Sequence, residues 1–294
     1  MRQRDDMTGF TVFGANGFIG DAVARELEAS GQELSRPPRG VAPASLGDMG
    51  HVIFSVGITA DFRSRPYDTM DAHVGLATRI LAEGRYRSFL YLSSTRVYDG
   101  ADAGSETARI AVDPADPSDL YNLSKLAGEA LCLAHANPAV RVARLSNVFG
   151  ARMFPDAIEG ANFLAGVVGE AVLNNRIVLG THPSSAKDYV HVDDVARALV
   201  LIAADGDQRL FNVASGRNVS HADIVARLAE LTGCAVASSE DAPRIAYPKI
   251  STGRLARLFD SSGGHWSPAE LTDCLPALVT AARQKWNIKE GAIA

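Results

Sequence analysis

The chain has 294 residues, of which 47% are hydrophobic and 21% are charged, a globular composition that suits one large α/β domain or a domain with a smaller C-terminal partner. Its formal net charge of −5 gives no case for a nucleic-acid partner, and no apolar run approaches the length of a transmembrane helix, so we expect no membrane partner. The three cysteines are far apart and the histidines lack metal-ligand spacing, so we expect no disulfide framework, no metal site and a cytoplasmic location.

The first motif along the chain is a glycine-rich turn between a strand and a helix. Residues 1–7 are polar and lack an apolar signal core, and we expect them to form a disordered leader. An apolar strand over residues 10–13 then leads into the turn and a helix over residues 21–29. Missing β-carbons let a pyrophosphate approach the backbone at the helix N-terminus, although a glycine turn without a ligand is the alternative. The predicted cofactor-binding residues of this turn are Gly14, Asn16, Gly17, Phe18, Ile19 and Gly20.

The stretch after the second predicted strand bears on the choice of cofactor. NAD-selective sites carry Asp or Glu about 20 residues past the glycines, where it binds the ribose hydroxyls. This chain instead has Arg36 and Arg39 in that region. Guanidinium groups suit the 2′-phosphate of NADP, and Arg36 is the residue predicted to make this contact. We therefore favour NADP over NAD, with a solvated basic loop as the alternative. Only eleven residues separate Arg39 from the next strand, so the usual third strand is expected to be missing or vestigial.

Two further predicted strands end in small or hydroxyl-bearing residues. Residues 51–57 form a predicted buried parallel strand whose small last residues leave room for a cofactor. The predicted cofactor contacts there are Ser55, Val56 and Gly57. Residues 68–83 have the apolar spacing of a helix. The next strand, residues 89–92, leads to Ser94, whose hydroxyl either donates to a substrate oxygen or caps the strand end.

A tyrosine and a lysine stand one turn apart on the next predicted helix. Pro117, followed by Ser118 and Asp119, supplies a helix start and an N-cap. The four-residue spacing puts Tyr121 and Lys125 on the same face. We expect the ammonium to lower the phenol pKa from its usual value of about 10, as a general acid/base for an alcohol/ketone pair requires. An ordinary surface helix is the alternative.

The remainder of the chain alternates short strands with helices. The predicted strands cover residues 140–145, 176–179 and 210–213. The predicted helices cover residues 161–173, 193–204 and 220–232, a short segment from Leu255, and a terminal segment to about Trp286. A Ser220-x-x-Asp223 capping box opens the third of these helices. We expect a dinucleotide-binding domain over residues 8–160, to which segments of 176–213 return, and a mainly substrate-binding part over residues 161–294.

Six motifs occur along the chain in a characteristic order. They are Gly14-x-x-Gly17-x-x-Gly20, Leu92-Ser93-Ser94-Thr95-Arg96-Val97-Tyr98, Tyr121-x-x-x-Lys125, Arg144-Leu145-Ser146-Asn147-Val148-Phe149-Gly150, Lys187-Asp188-Tyr189-Val190-His191-Val192-Asp193-Asp194-Val195 and Phe211-Asn212-Val213-Ala214-Ser215-Gly216. In this order the chain resembles the extended short-chain dehydrogenase/reductase family, in its NAD-dependent epimerase/dehydratase group that modifies nucleotide sugars. The resemblance implies an α/β fold: a Rossmann-like doubly wound parallel sheet with a small C-terminal α/β substrate domain, shortened here around the second and third strands.

The resemblance also implies roles for individual residues. Tyr121 would be the acid/base, Lys125 would bind the nicotinamide ribose, and Ser94 would orient the reacting oxygen. Leu145 would be a further cofactor contact. The implied substrate contacts are Ser94, Thr95, Asn147, Asn162, Phe163, Lys187 and Arg244, of which Asn147 and Lys187 would meet the sugar diphosphate.

The activity implied by the resemblance is that of an NAD(P)-dependent oxidoreductase or epimerase. Its substrate would be a secondary alcohol or ketone, at C4, of a nucleotide sugar. A 4-ketoreductase and a 4-epimerase share this machinery, and both stay open. The Ser94-Thr95-Arg96 run lacks the acidic pair of sugar 4,6-dehydratases, which argues against water elimination. The resemblance further implies a homodimer, paired through helices near residues 69–84 and 119–136. A non-catalytic NAD(P)-sensing regulator is the alternative, and the intact Tyr121/Lys125 pair counts against it.

Overall fold

The computed structural model describes residues 9–59, 61–158 and 161–288, and the predicted leader over residues 1–7 lies outside them. Along the described chain the strands are β1 (Phe10–Phe13), β2 (Leu34–Ser35), β3 (His51–Phe54), β4 (Ser88–Ser94), β5 (Val140–Leu145), β6 (Asn147–Phe149), β7 (Arg176–Val178), β8 (Ala186–His191), β9 (Leu210–Val213), β10 (Asn218–Ser220) and β11 (Ala235–Ala237). The α-helices are α1 (Phe18–Ala29), α2 (Pro66–Met70), α3 (Leu76–Glu83), α4 (Leu120–Ala134), α5 (Phe163–Leu173), α6 (Val192–Asp205), α7 (His221–Thr232), α8 (Gly253–Ser261) and α9 (Leu271–Lys285). A π-helical turn (Asp71–Gly75) joins α2 to α3, and 3₁₀ turns lie at Pro43–Ser45, Thr95–Tyr98 and Pro117–Asp119.

Six of these strands form one parallel sheet, in the order β2-β1-β3-β4-β5-β9. The central strands are buried because helices cover both faces of the sheet. On one face α1 and α6 contribute Leu27 and Leu199 to the core. On the other face α3 and α4 contribute Ile80 and Cys132. The predicted Rossmann-like, doubly wound parallel sheet is confirmed.

The sheet is shortened at the edge where β2 lies. This strand has two residues, and Leu34 pairs with Phe10 of β1. Between β2 and β3 the described chain forms a 3₁₀ turn, Pro43–Ser45, and no strand, which confirms that the usual third strand is missing. The predicted strand over residues 51–57 was too long, because β3 ends at Phe54 and the small residues after it form a loop.

A smaller α/β part follows the main sheet. Helices α5, α7 and α9 pack together around Leu164, Leu228 and Leu275. Its strands form a three-stranded sheet, β10-β8-β6, and a two-stranded ribbon, β11-β7, within the described residues. Of the segment expected to return to the main sheet, β9 does so, whereas β7 pairs with β11. The exact domain boundaries stay a prediction.

Two helix N-caps were predicted from the sequence, one at Ser220 and one at Ser118 and Asp119, and the structure shows which hydrogen bonds form at each place. The Ser220 hydroxyl oxygen accepts from the Asp223 N–H at 3.0 Å, which confirms the capping box. The predicted start of α4 is confirmed in position, since Asp119 is the N-cap residue of this helix. A 3₁₀ turn precedes α4, and the Asp116 carboxylate caps that turn by accepting from the Ser118 N–H at 2.7 Å. Asp119 makes no side-chain cap for α4.

The parallel strands bring the sequence motifs together. In an open α/β sheet, the loops after the carboxyl ends of the strands form the ligand crevice. The glycine turn follows β1, the small residues 55–57 follow β3, Ser94 ends β4 and Leu145 ends β5. These four segments therefore lie along one edge of the sheet.

Candidate active site

The glycine turn after β1 forms a cradle with room for backbone contacts only. Gly14 has φ +81°, which favours glycine, and the Gly17 N–H donates to the Gly14 carbonyl at 2.9 Å. A β-carbon at Gly20 would lie 2.2 Å from the Gly14 oxygen. Gly17 caps α1 without a side-chain hydrogen bond, so the first N–H groups of this helix face the cradle unblocked by a side chain. A helix N-terminus of this kind suits a dinucleotide pyrophosphate, and the residues fit that group.

The other residues predicted to contact the cofactor lie around this cradle. Asn16 is exposed in the turn, whereas Phe18 and Ile19 open α1 and pack against the core of the main sheet. The Ser55 hydroxyl donates to the Phe13 carbonyl at 2.7 Å and fixes the loop after β3 to β1. Leu145 is buried at the end of β5. These placements agree with the expected crevice, while the binding roles stay predictions.

A cavity of about 920 Å³ opens at the end of β3. Val56, Gly57 and Arg39 are among the residues that line it. Arg36 is not in this lining. It lies on the exposed surface, where its Nη2 is 2.6 Å from Oε1 of Glu28 on α1. Of the two arginines considered for a 2′-phosphate, Arg39 therefore faces the cavity and Arg36 pairs with a carboxylate.

Tyr121, Lys125 and Ser94 lie close together near the loop after β3. The Lys125 ammonium donates to the Leu92 carbonyl at 2.9 Å and lies 5.9 Å from the Tyr121 ring centre. It is buried, as is Tyr121, so the surface-helix alternative is excluded. Ser94 ends β4 beside the phenol, and a β-carbon on Gly57 would lie 3.4 Å from the Lys125 nitrogen. The lysine thus stands between the cofactor loop and the tyrosine.

The pKa of Tyr121 is shifted in the direction opposite to the one predicted from the sequence. Burial raises the pKa of Tyr121 above its usual value, and the Ser94 hydroxyl and the Arg96 charge only partly oppose that shift. Burial also lowers the pKa of Lys125 to about 7, against the smaller opposing effect of Glu129. The predicted lowering of the tyrosine pKa by Lys125 was wrong for this structure, because desolvation outweighs the attraction of a nearby cation.

His73 is a site residue that the sequence reasoning missed. It lies in the π-helical turn, is fully buried, and accepts a hydrogen bond at Nε2 from the Ile58 N–H at 3.1 Å. Its Nδ1 is 2.8 Å from the Ser124 hydroxyl, which itself donates to the Tyr121 carbonyl at 2.8 Å. The apolar spacing of this segment did not identify His73 as a site residue, because a histidine that only fills the buried face of a helix would give the same pattern.

A second, more polar pocket of about 440 Å³ lies on the other side of the tyrosine. The predicted residues that line it are Ser94, Thr95, Tyr121, Asn147, Asn162 and Lys187. Residues not predicted as contacts also line it: Thr59, Arg96, Ser146, Asp188, Asn218, Tyr247, Pro248 and Ile250. Two predicted contacts, Phe163 and Arg244, are not among the residues that line this pocket. Phe163 stacks on His221, with ring centres 3.7 Å apart, and Arg244 is exposed. Thr59 lines both cavities, so the two adjoin at this residue.

The polar walls of this pocket are held by specific hydrogen bonds. The Asn147 amide donates to the Asp188 carbonyl at 2.8 Å, and the Asn162 side chain caps α5. The Asp188 carboxylate is buried and accepts from the Ser215 N–H and hydroxyl, each at 2.9 Å. Burial lowers the pKa of Lys187, and the Arg96 charge adds to that effect. The pocket therefore presents two cations, while its buried carboxylate is already hydrogen-bonded.

One protein-family model matches the part of the chain that carries this site. The model described as the NAD dependent epimerase/dehydratase family matches residues 49–214, more than half of the chain. The chain belongs to this family. The matched segment contains the hydroxyl, tyrosine and lysine of the site, and the resemblance drawn from the motifs is confirmed.

The individual relatives have low sequence identity to this chain. A dTDP-glucose 4,6-dehydratase of Streptomyces griseus is 29% identical over 150 residues, which span 50% of this chain but only 43% of that enzyme. A GDP-6-deoxy-D-mannose reductase of Pseudomonas aeruginosa is 27% identical over 281 residues, covering 87% of this chain and 91% of the reductase. The solved structure of MoeE5 in complex with UDP-glucose and NAD has a TM-score of 0.73 at 23% identity and covers 95% of this chain and 99% of its own, a likeness that supports the fold. No helix within the described residues is long and apolar enough to cross a membrane.

Proposed function

We propose that the protein is an NAD(P)-dependent oxidoreductase or epimerase that acts on a secondary alcohol or ketone, at C4, of a nucleotide sugar. One observation carries the proposal. Tyr121 and Ser94 line the polar pocket, Lys125 lies beside them next to Gly57 of the loop after β3, and Thr59 of that loop lines both the pocket and the cavity at the end of β3. A group bound in the pocket would meet the hydroxyl and the phenol at its inner end, next to the cofactor loop.

The residues at this junction have separate roles in the proposed reaction. A nicotinamide cofactor bound at the cradle supplies the hydride chemistry. Tyr121 gives a proton to the substrate oxygen in reduction and takes it in oxidation, and its raised pKa keeps the phenol protonated at neutral pH. Ser94 holds the same oxygen by a hydrogen bond. Lys125, fixed by the Leu92 carbonyl, is placed to bind the cofactor ribose.

Water elimination fits this pocket poorly, although dehydratases are among the relatives. That reaction needs an acid/base group beside the tyrosine, and the positions after Ser94 hold Thr95 and Arg96. A guanidinium stays protonated and offers no acceptor, so Arg96 is not a base. A non-catalytic sensor would have no use for a buried phenol next to a strand-end hydroxyl. These features favour reduction, oxidation or epimerisation.

The pocket also suits the charge of a nucleotide sugar. Lys187 stands beside the Tyr247 ring, with its nitrogen 5.6 Å from the ring centre, and offers a point charge to a diphosphate. The relatives reported above are named for dTDP- and GDP-linked sugars. We further propose a homodimer and a cytoplasmic location, the latter because the three cysteines are free thiols.

A substrate panel tests the proposal. The purified protein would be incubated with UDP-, GDP- and dTDP-linked hexoses and their 4-keto forms, in the presence of NAD(H) or NADP(H). Bound and reduced cofactor would be followed by absorbance, and products by mass and by chromatography of epimers. Net oxidation of NAD(P)H with a keto sugar identifies a reductase, and an epimer without net cofactor change identifies an epimerase. Binding of a nicotinamide cofactor without turnover of any sugar would favour the sensor instead.

A further inference from the structure

Arg96 is a cation at the catalytic end of the polar pocket. Its backbone N–H donates to the Ser94 hydroxyl oxygen at 3.2 Å, and its guanidinium carbon lies 5.5 Å from the Tyr121 ring centre. The guanidinium also lies 5.3 Å from the ring centre of Phe62, which is buried. The side chain is therefore held against two aromatic rings, next to the two groups that would hold the reacting oxygen.

The guanidinium lacks a carboxylate partner among the residues that the structure describes. Within the described part of the chain its side chain makes one hydrogen bond, from Nη2 to the Ser118 carbonyl at 3.3 Å. The nearby carboxylates are otherwise engaged, since Asp188 accepts from Ser215 and Asp99 accepts from the Tyr247 hydroxyl at 3.3 Å. Arginine has five N–H donors in a planar fork that matches a carboxylate. Arg96 lines the pocket, and most of its donors make no hydrogen bond to the described residues.

The two cations of the pocket occupy different places along it. Lys187 lies on β8 beside Tyr247, whereas Arg96 lies at the end of β4 over Tyr121. A nucleotide sugar carries its diphosphate at C1, across the ring from C4. When C4 is held at Ser94 and Tyr121, the diphosphate is kept away from that end. A charged group at C6 would instead lie two bonds from C4, on the neighbouring carbon C5.

We propose that Arg96 binds a carboxylate at C6 of the sugar, so that the preferred substrate is a nucleotide-linked uronic acid. This inference rests on the proposed function, because it assumes that C4 is the reacting carbon. Lys187 then serves the diphosphate, and Arg96 distinguishes an acidic sugar from a neutral one. A charge-assisted bidentate contact of this kind changes affinity by about ten- to a hundredfold.

Matched pairs of nucleotide sugars that differ only at C6 provide the test. UDP-glucose with UDP-glucuronate and GDP-mannose with GDP-mannuronate would be titrated calorimetrically into the protein, with NAD(H) or NADP(H) present. In at least one pair the uronate is expected to bind about ten- to a hundredfold more tightly. Arg96→Met should reduce that preference to less than about twofold, and Arg96→Lys should keep part of it, because a point charge replaces the fork. Lys187→Met should weaken both members equally.

Arg63 offers a matched control. Its guanidinium stacks on the same Phe62 ring, 4.5 Å from the ring centre, and donates to the Ser118 hydroxyl at 3.0 Å, but it does not line the pocket. Arg63→Met should leave the preference for the uronate intact. The role of Arg96 is overturned if both members of every pair bind equally, or if Arg63→Met loses the preference as well. In either case, turnover of the neutral sugar would still support the proposed function. Binding of no nucleotide sugar at all contradicts both proposals.

Discussion

The imidazole of His73 meets the Tyr121 ring edge-on, with the two ring centres 5.6 Å apart. Around this contact the hydrogen bonds form a directed chain. The Ile58 N–H donates to Nε2, so the ring proton must sit on Nδ1, and Nδ1–H donates to the Ser124 hydroxyl oxygen. The hydroxyl proton then goes to the Tyr121 carbonyl. A neutral histidine in one tautomer thus connects the cofactor loop to the helix that carries the tyrosine.

This chain of hydrogen bonds predicts a dependence of stability on pH. Burial lowers the pKa of His73 to about 3, with the Lys125 charge as the smaller cause. Below about pH 6.5 the unfolded chain binds a proton at this histidine that the folded chain does not bind, so stability falls as the pH falls. Between pH 7 and pH 5 this single group should cost about 2 kcal/mol.

His73→Gln is the matched variant, because an amide can both accept from the Ile58 N–H and donate to Ser124 without titrating. Urea unfolding at pH 7 and pH 5 should show a smaller loss of stability in His73→Gln than in the wild type, by about the same 2 kcal/mol. An identical loss in the two proteins would show that His73 is not held neutral in the folded state.

The acid/base role predicts the behaviour of Tyr121→Phe. Its turnover should fall by at least about a hundredfold, the usual contribution of a general acid/base, while cofactor affinity stays nearly unchanged. Because burial raises the pKa of Tyr121, the wild-type rate of sugar oxidation should rise with pH. Steady-state rates from pH 6 to 10 give the check. Tyr189→Phe, which alters a buried tyrosine outside the pocket, should keep full turnover. Full turnover of Tyr121→Phe would exclude the mechanism.

The choice of cofactor can be tested at two arginines. If NADP is preferred, a guanidinium contact with its 2′-phosphate should be worth about ten- to a hundredfold in affinity. The ion pair of Arg36 with Glu28 and the position of Arg39 in the cavity wall lead us to expect the larger loss of NADPH affinity in Arg39→Ala. NADH affinity should hardly change in either variant.

Fluorescence titration of both cofactors against the wild type, Arg36→Ala and Arg39→Ala measures these affinities. A larger loss in Arg36→Ala would mean that its pair with Glu28 opens when the phosphate binds. Equal affinity of the wild type for NADH and NADPH would end the NADP proposal, whichever arginine is changed.

Local motifs explain how much of the fold and site could be predicted. The glycine turn, the hydroxyl at the end of β4 and the Tyr121/Lys125 pair each depend on a short stretch of chain, and parallel strands bring such stretches to one edge. The missing third strand could be predicted too, because eleven residues after Arg39 cannot hold a helix and a strand. These features follow from spacing and from backbone length.

Other features depend on burial and on contacts between distant segments. The spacing of Tyr121 and Lys125 predicted a lowered tyrosine pKa, whereas both side chains are buried and desolvation decides the direction. Tyr247 and Asn218 reach the pocket from loops and short strands that carry no motif. The π-helical turn at His73 could not be distinguished from an ordinary helix, because both bury an apolar stripe.

The proposed homodimer is the last prediction. The predicted interface segments, residues 69–84 and 119–136, correspond to the end of α2 with the π-helical turn and α3, and to α4. The two segments pack against each other, and large apolar side chains are exposed at α2 and on α4. Tyr67 is 88% exposed and Met70 38% on α2, and Leu131 is 39% exposed and Leu133 38% on α4. Exposed apolar groups on adjacent helices are typical of an interface between two copies related by a two-fold axis. We therefore expect light scattering at tens of micromolar to give twice the mass of one chain.

A charge placed in this face should separate the two copies. Leu131→Glu is expected to give a monomer, because dimerisation would bury an unpaired carboxylate twice across the two-fold axis. Val178→Glu is the matched variant, since Val178 is 56% exposed on the β7 strand of the smaller part. It should remain a dimer. If Val178→Glu dissociates and Leu131→Glu does not, the interface lies on the β11-β7 ribbon. A wild-type monomer would contradict the proposal that the segments near residues 69–84 and 119–136 pair across a two-fold axis.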